Sequence, residues 1–209
     1  MIYAYVLPKK NTDELADANR MNGGGRMSEE LLVKHCSPTL AGIKTGNLFS
    51  VNFDNADELR ACVRDWNRML SPKGLRIMPM RFNDGRALIY VYRPSRLSKD
   101  LSESLAEDML DSFGYGGKTP ERCVSELMKR LRKNEAFPHE IGLFLGYPPE
   151  DVKGFIENKA CGCKCKGCWK VYGDEAAARK IFARYKKCTA IYCELFKSGR
   201  SLDKLTVAA

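Results

Sequence analysis

Four cysteines lie within eight consecutive positions, at Cys161, Cys163, Cys165 and Cys168. The step from Cys165 to Cys168 is the spacing at which two thiolates on a tight turn can bind one metal ion. A thiolate site normally has four ligands, so either Cys161 and Cys163 or a distant pair must supply the other two. The cluster therefore makes these four cysteines candidate ligands for zinc or iron.

A second pair, Cys188 and Cys193, follows on a predicted helix and is a weaker source of ligands. A five-residue step on a continuous helix turns the side chain by roughly 140°, so the two thiols would face different sides. Cys188 also falls on an apolar stripe, where free cysteine packs as a small hydrophobic residue. Since Lys164 and Lys166 would favour thiolates in the cluster, reversible thiol oxidation is an alternative to metal binding, as is a loop without chemistry.

The first histidine stands next to a cysteine, in the sequence HCSPT that begins at His35. Cys36 directly precedes Ser37 and Pro38, a pair that predicts a helix start, with serine as the cap and proline in the first turn. Free amide groups at a helix start favour a thiolate, and an imidazole nearby could act as its base. His35 and Cys36 are therefore candidate catalytic residues, with capping and packing as the alternative.

The second histidine is His139, followed by Glu140 in the sequence FPHEIG. An imidazole and a carboxylate side by side could serve as acid, base or ligand, or could cap the short helix that follows. These residues join His35 and Cys36 in one candidate site only if the fold brings the two distant segments together.

Residues 141–156 have the pattern of two helices that cross closely, with a small residue at Gly142, a turn at Gly146 and an apolar contact at Val152. The start of the second helix carries Glu150 and Asp151 instead of the basic or amide side chains that read DNA. The pattern predicts a packing pair, and it leaves a regulatory module that binds protein or nucleic acid as an alternative function.

The composition is basic, with 35 Lys and Arg against 26 Asp and Glu and a net charge of +9. The basic residues are spread along the chain, so anionic partners are considered but a nucleic-acid surface is not the favoured prediction. No apolar segment approaches the roughly 20 residues that cross a bilayer, which predicts a protein outside the membrane. Nine cysteines without a secretory signal predict reduced thiols in the cytoplasm.

Two β-rich segments around Asn83, Asp84 and Gly85 predict a hairpin, and Pro79 places its first strand at a sheet edge. With a strand near 46–53 and an amphipathic helix over 56–70, the first half reads as β-α-β-β. The rest is helical apart from one short strand near the sequence CWKVY, which makes the class α+β.

We expect residues 1–26 to be a flexible extension. Residues 27–209 then form one domain, with a sheet-containing half over 27–93 and a mainly helical half over 94–209.

Three long stretches carry a family resemblance: HCSPTLAGIKTGNLFSV, FPHEIGLFLGYPPEDVKGFIENK and WKVYGDEAAARKIFARYKKCTAIYCELFKSGRSLDKLTVA. They resemble domain of unknown function 3793, a family of uncharacterised proteins found mainly in anaerobic bacteria. Its members usually begin where Met27 stands, which leaves open whether residues 1–26 are native sequence.

The family pattern KCxGYWKVYGD implies that Cys165 is shared, whereas Cys161, Cys163 and Cys168 are departures. A function common to the family would then use His35, Cys36, His139, Cys165, Cys188 and Cys193.

The resemblance implies no reaction and no substrate, and the sequence does not establish whether the protein is an enzyme. The first functional hypothesis is a cytoplasmic accessory protein of anaerobic metabolism with a thiol- or metal-linked role. The alternative is the protein- or nucleic-acid-binding module, which would use the predicted helical pair and the basic surface.

Overall fold

The computed structural model describes residues 27–133 and 137–208, so the predicted extension over residues 1–26 lies outside the described part of the chain. Its helices are α1 (Glu29–Leu40), α2 (Ala56–Leu70), α3 (Pro94–Leu101), α4 (Ser104–Ser112), α5 (Pro120–Arg132), α6 (Ile141–Phe144), α7 (Pro149–Glu157), α8 (Glu175–Lys197) and α9 (Leu202–Leu205). Its strands are β1 (Gly46–Asn52), β2 (Arg76–Asn83), β3 (Arg86–Tyr92), β4 (Cys165–Lys166) and β5 (Lys170–Val171). The predicted α+β class is confirmed.

The larger sheet is antiparallel, with the strand order β1, β3, β2. Its hairpin turns at Asp84 (φ 44°) and Gly85 (φ 72°), and two left-handed residues between paired strands make the turn that suits the twist of a hairpin. Pro79 lies on β2, an edge strand, and the register shifts between Pro79 and Arg81. The predicted hairpin and the predicted edge position of Pro79 are both confirmed.

The central strand β3 is buried on both faces of the sheet because its side chains alternate between two cores. One core is closed by α1, α2 and α9, and the other by α3 to α7; β3 gives Ala87, Ile89 and Val91 to the first and Leu88, Tyr90 and Tyr92 to the second. Helices thus cover both faces of the sheet.

Helix α1 begins at a Ser28 cap and continues without a break to Leu40, with Pro38 inside it. The predicted helix start at Ser37 is therefore wrong. The proline removes only one backbone donor, and the helix ends two residues later, so little of the hydrogen-bond ladder is lost. The Ser37 hydroxyl donates to the Val33 carbonyl in the preceding turn.

Arg93, at the end of β3, is buried with 2% of its surface exposed. Its guanidinium donates to four backbone carbonyls, those of Thr39 (2.7 Å), Leu40 (2.7 Å), Lys73 (3.2 Å) and Val207 (2.6 Å). Since these carbonyls belong to the end of α1, the segment after α2 and the chain after α9, one side chain joins three separate segments.

The long helix α8 packs along α1. Its contact face is the predicted apolar stripe, which is half-buried: Ile181, Phe182, Tyr185, Cys188, Tyr192, Leu195 and Phe196. Ala178 is its one fully buried residue, so most of the helix surface is accessible. Across the described residues, we find no helix with the length and apolar character needed to span a bilayer.

Candidate ligand-binding cleft

A cleft of about 520 Å³ lies where α8 passes over α1. We call it the α1–α8 cleft and define it by its basic residues, its aromatic residues and one thiol: Lys34, His35, Lys44, Lys186, Tyr147, Phe182, Tyr185 and Cys168. Helix α1 supplies the first two, the loop before β1 supplies Lys44, and α8 supplies Phe182, Tyr185 and Lys186. No aspartate or glutamate is among the described residues that line it.

Lys44 is the buried cation of this cleft, with 5% of its surface exposed. Its Nζ donates to the carbonyl oxygens of Gly46 and Leu145, the latter at 2.9 Å, and lies 5.3 Å from the centroid of the Tyr147 ring. Lys44 takes part in none of the ion pairs found among the described residues. Its ammonium therefore has neutral carbonyl acceptors and no carboxylate partner in the described part of the chain.

Burial lowers the pKa of Lys44 to about 8, because the charged form loses hydration that two carbonyls do not replace. The thiols of Cys168 and Cys36 and the carboxyl of Asp100 act in the opposite direction, in that order. Asp100 accepts a hydrogen bond from the Thr45 hydroxyl, next to Lys44 in the chain. Near pH 8 about half of the Lys44 amine is thus uncharged, which gives it nucleophilic character that an exposed lysine lacks.

The two adjacent residues His35 and Cys36 face different surroundings. The His35 ring stacks on Phe49, with 5.1 Å between ring centroids and 9° between planes, and lines the cleft. Burial and then the charge of Lys34 lower the pKa of His35, so its imidazole is neutral at pH 7. Cys36 is 0% exposed in the core between α1 and the sheet, and burial raises the pKa of its thiol far above the usual range. With no helix start beside it, Cys36 lacks the free amide groups that would stabilise a thiolate, and the charge of Lys44 offsets the effect of burial only in part.

The cysteine-rich segment forms a small hairpin of β4 and β5, held on α7 by one buried carboxylate. Asp151 accepts hydrogen bonds from Trp169 Nε1 at 2.6 Å, the Tyr172 amide at 2.7 Å and the Gly173 amide at 2.8 Å. The turn packs on α8 so closely that a Cβ at Gly167 would lie 2.2 Å from the Phe182 ring. These contacts place Cys168 in the wall of the cleft.

The four clustered cysteines do not form a metal centre in this arrangement. Cys161 is exposed, while Cys163, Cys165 and Cys168 are half-buried, and all are free thiols. Within residues 27–133 and 137–208, no three His, Cys, Asp or Glu side chains are placed to hold a metal ion. The spacing that predicted zinc or iron ligands is thus not matched by a converging ligand set. Of the four, Cys168 is the one that lines the cleft, and burial raises the pKa of its thiol while Lys44 lowers it.

The weaker candidate ligands, Cys188 and Cys193, lie on the continuous helix α8 and are half-buried. Cys193 packs against the core between α1 and the sheet, and burial raises the pKa of Cys188. Both therefore belong to the packing of α8 on the body of the protein.

His139 and Glu140 belong to a different part of the molecule from His35. The Glu140 carboxylate is buried, where it accepts hydrogen bonds from the Tyr115 hydroxyl at 2.9 Å and from Arg130 Nη1 at 3.3 Å. His139 is exposed, and its ring meets that of Phe155 edge-on with 5.1 Å between centroids. It lines a neighbouring apolar cavity of about 70 Å³ that shares Tyr147 and Cys168 with the α1–α8 cleft, so the two histidines line different cavities.

The predicted helical pair is present as α6 and α7, and it is a packing pair. A Cβ at Gly142 would lie 2.7 Å from Val152, and Gly146 turns the chain with a φ of 70°. All four residues of α6 are buried. At the start of α7, Glu150 is exposed and Asp151 faces inward. The start of this helix therefore does not present the basic side chains with which a recognition helix contacts DNA.

Sequence reasoning missed Lys44, Tyr147 and Tyr185. The usable signal for Lys44 was its position in AGIKTGNLF, a lysine in a short loop among small and apolar residues just before a strand. Tyr185 lies on the apolar stripe of the last helix, a pattern that predicts packing alone.

The model of the family described as "Protein of unknown function (DUF3793)" matches residues 32–206, and the chain belongs to this family. The resemblance that the three long stretches indicated is confirmed. No match is found among curated proteins or among solved structures.

Proposed function

We propose that the protein is a cytoplasmic accessory protein that binds a small anionic metabolite in the α1–α8 cleft. The observation that carries the proposal is the charge of the cleft: Lys34, Lys44 and Lys186 line it, and no carboxylate does so among the described residues. A cleft with charge of one sign and low-dielectric walls concentrates ions of the opposite sign.

The size and lining of the cleft favour a small molecule. A volume of about 520 Å³ lies within the range of ligand pockets, which combine apolar walls with a few fixed polar groups. Tyr147, Phe182 and Tyr185 supply the apolar walls, and Lys44 supplies a buried cation. The ammonium would gain from an anionic partner, because a buried charge with only neutral acceptors is costly.

The thiol-linked role expected from the sequence narrows to Cys168, the thiol in the cleft wall. A metal-linked role has no assembled ligand set among the described residues to support it. The placement in the cytoplasm rests on the cysteine usage of the sequence.

The test compares two neighbouring lysines of α8. Lys186 lines the cleft, whereas Lys187 is exposed and is not among the lining residues. We expect phosphate and small carboxylates to raise the melting temperature of the full chain, because ligands that bind only the folded state stabilise it. Titration calorimetry should show that Lys186→Ala weakens binding by about fivefold, a loss of about 1 kcal/mol, while Lys187→Ala binds as the wild type does.

Two results would contradict this proposal. One is a melting temperature that no small anion changes. The other is an equal loss of affinity in both alanine variants, which would assign the binding to general surface charge.

The alternative, a binding module for an acidic protein or a nucleic acid, is favoured by one observation. Helix α8 exposes six basic residues against Glu175 and Glu194: Arg179, Lys180, Arg184, Lys186, Lys187 and Lys197. Retention on heparin that survives moderate salt and falls equally in the two alanine variants would favour this second function.

A further inference from the structure

Lys44 differs from an ordinary buried lysine in what surrounds its amine. Buried lysines are normally paired with a carboxylate, because an unpaired ammonium is poorly stabilised away from water. Lys44 has two carbonyl oxygens and an aromatic ring instead, and it lies at a cleft with room for a ligand. This is the setting in which a lysine reacts as an amine.

We propose that Lys44 forms a reversible imine with the carbonyl group of a small anionic oxo compound bound in the α1–α8 cleft. This inference rests on the anion-binding function proposed above. In the step, the uncharged Nζ forms a bond to the carbonyl carbon as the C=O π bond breaks, and one proton moves from the nitrogen to the oxygen to give a carbinolamine. Its hydroxyl then leaves with the remaining N–H proton as water, which gives the C=N bond. Addition of water reverses both steps and returns amine and carbonyl, so neither oxidant nor reductant is needed.

The groups around Lys44 fit the proton transfers of that step. Burial raises the pKa of Tyr185 to about 12, so its hydroxyl keeps its proton near neutral pH; this hydroxyl lies 3.4 Å from the Ile43 carbonyl, one residue before Lys44. His35 is neutral and can accept a proton in the same cleft. Lys34 and Lys186 are placed to attract the carboxylate of the ligand. The cleft therefore holds an amine, a proton donor, a proton acceptor and anion-attracting charges.

A purely structural role for Lys44 is the competing explanation. Its two hydrogen bonds join the start of β1 to the end of α6, and such a brace would need no chemistry. The two roles differ in one measurable property, because a brace is indifferent to whether the bound anion carries a carbonyl group.

The experiment uses pyruvate and lactate, two anions of nearly the same size of which only pyruvate has a reactive carbonyl. The full chain is incubated with each at pH 8 in the presence of sodium cyanoborohydride, and the modified peptide is located by mass spectrometry. We expect pyruvate to add its own mass less one oxygen atom at Lys44, and lactate to add nothing. Because the pKa of Lys44 is about 8 and not 10.5, its uncharged fraction at neutral pH is roughly three-hundredfold larger than that of a lysine with the ordinary pKa.

The outcomes separate the two proposals. If both anions raise the melting temperature and no adduct forms at Lys44, the imine is overturned and anion binding stands. If adducts spread over exposed lysines such as Lys187, the imine is overturned as well. If neither anion binds and no adduct forms, both proposals fail. Lys44→Arg, which keeps the charge and removes the reactive amine, should lose the adduct, and the wild-type peptide map remains decisive if that variant does not fold.

Discussion

The molecule contains two junctions built around a buried cation, and they differ in how completely the cation is partnered. Arg93 donates to four backbone carbonyls from three segments and faces the protein interior. Lys44 donates to two carbonyls and faces a cleft. Both are at least nine-tenths buried, and neither is within an ion pair among the described residues.

The difference shows which buried charge serves structure and which is available for chemistry. A guanidinium has five donors in a rigid fork and stays charged, so four carbonyl acceptors satisfy most of it permanently. An ammonium with two acceptors in a dry site is stabilised less, and its pKa falls into the range where it can release its proton. Removal of Arg93 should therefore damage the fold, whereas removal of Lys44 should mainly change what the cleft can bind.

The largest effect is expected for Arg93→Met, which removes the guanidinium and keeps an unbranched side chain. Four carbonyls lose the guanidinium donor at once, two of them in buried hydrogen bonds, and each hydrogen bond to a charged group contributes about 1.5–3 kcal/mol. We expect the free energy of unfolding to fall by more than about 3 kcal/mol in urea titrations.

Arg96→Met is the matched control for this prediction, because Arg96 is exposed on α3 three residues later. Its effect should stay within about 0.5 kcal/mol. Equal stability of the Arg93 and Arg96 variants would contradict the structural role of the Arg93 junction.

The buried carboxylate of Asp151, which accepts three hydrogen bonds, extends the comparison to a buried group of negative charge. In Asp151→Asn, one oxygen can still accept from the Tyr172 and Gly173 amides, but the new amide group would face the Trp169 indole N–H, donor against donor. We expect a loss of about 2 kcal/mol, and faster hydrogen exchange confined mainly to residues 161–174, because this carboxylate docks the hairpin on α7. Glu150→Gln, at the exposed neighbour of Asp151, should leave the exchange of that hairpin unchanged.

Local sequence signals predicted the parts of the fold whose cause is local. Asp84 and Gly85 make the hairpin turn because of their own backbone preferences, and Pro79 lies on an edge strand because it has no amide to donate to a neighbour. The prediction of a helix start at Ser37 was wrong because a proline can either begin a helix or lie in its last turn. Here the amides of Ile43 and Lys44 both bond to the Pro38 carbonyl after the helix ends, a closure that no local pattern of residues reveals.

The candidate site was predicted less well because it depends on long-range packing. The acceptor of Lys44 on Leu145 is 101 residues away in the chain, and the cleft forms only when α8 lies over α1. Cysteine and histidine are rare residue types with known chemistry, so a sequence favours them as candidate site residues. Of the candidate cysteines and histidines, only Cys168 and His35 line the cleft. The burial of one lysine among many is not visible in the sequence.

The smallest predicted effect is a pH dependence that isolates Lys44. Its pKa is about 8 in the folded protein and 10.5 as the ordinary value, so between these pH values the unfolded chain binds more protons. The stability of the wild type should therefore rise with pH relative to Lys44→Met, by on the order of 1 kcal/mol between pH 7 and pH 9.

Urea titrations of both proteins in reductant measure this difference, and the comparison of variants cancels most of the titration of Cys36, Cys168 and Asp100. Lys187→Met, at an exposed lysine outside the cleft, is the matched control. If the difference in the free energy of unfolding between the wild type and Lys44→Met is the same at every pH, the amine keeps its ordinary pKa in the fold. The contrast between Arg93, which has four carbonyl acceptors, and Lys44, which has two, would then lose its physical basis.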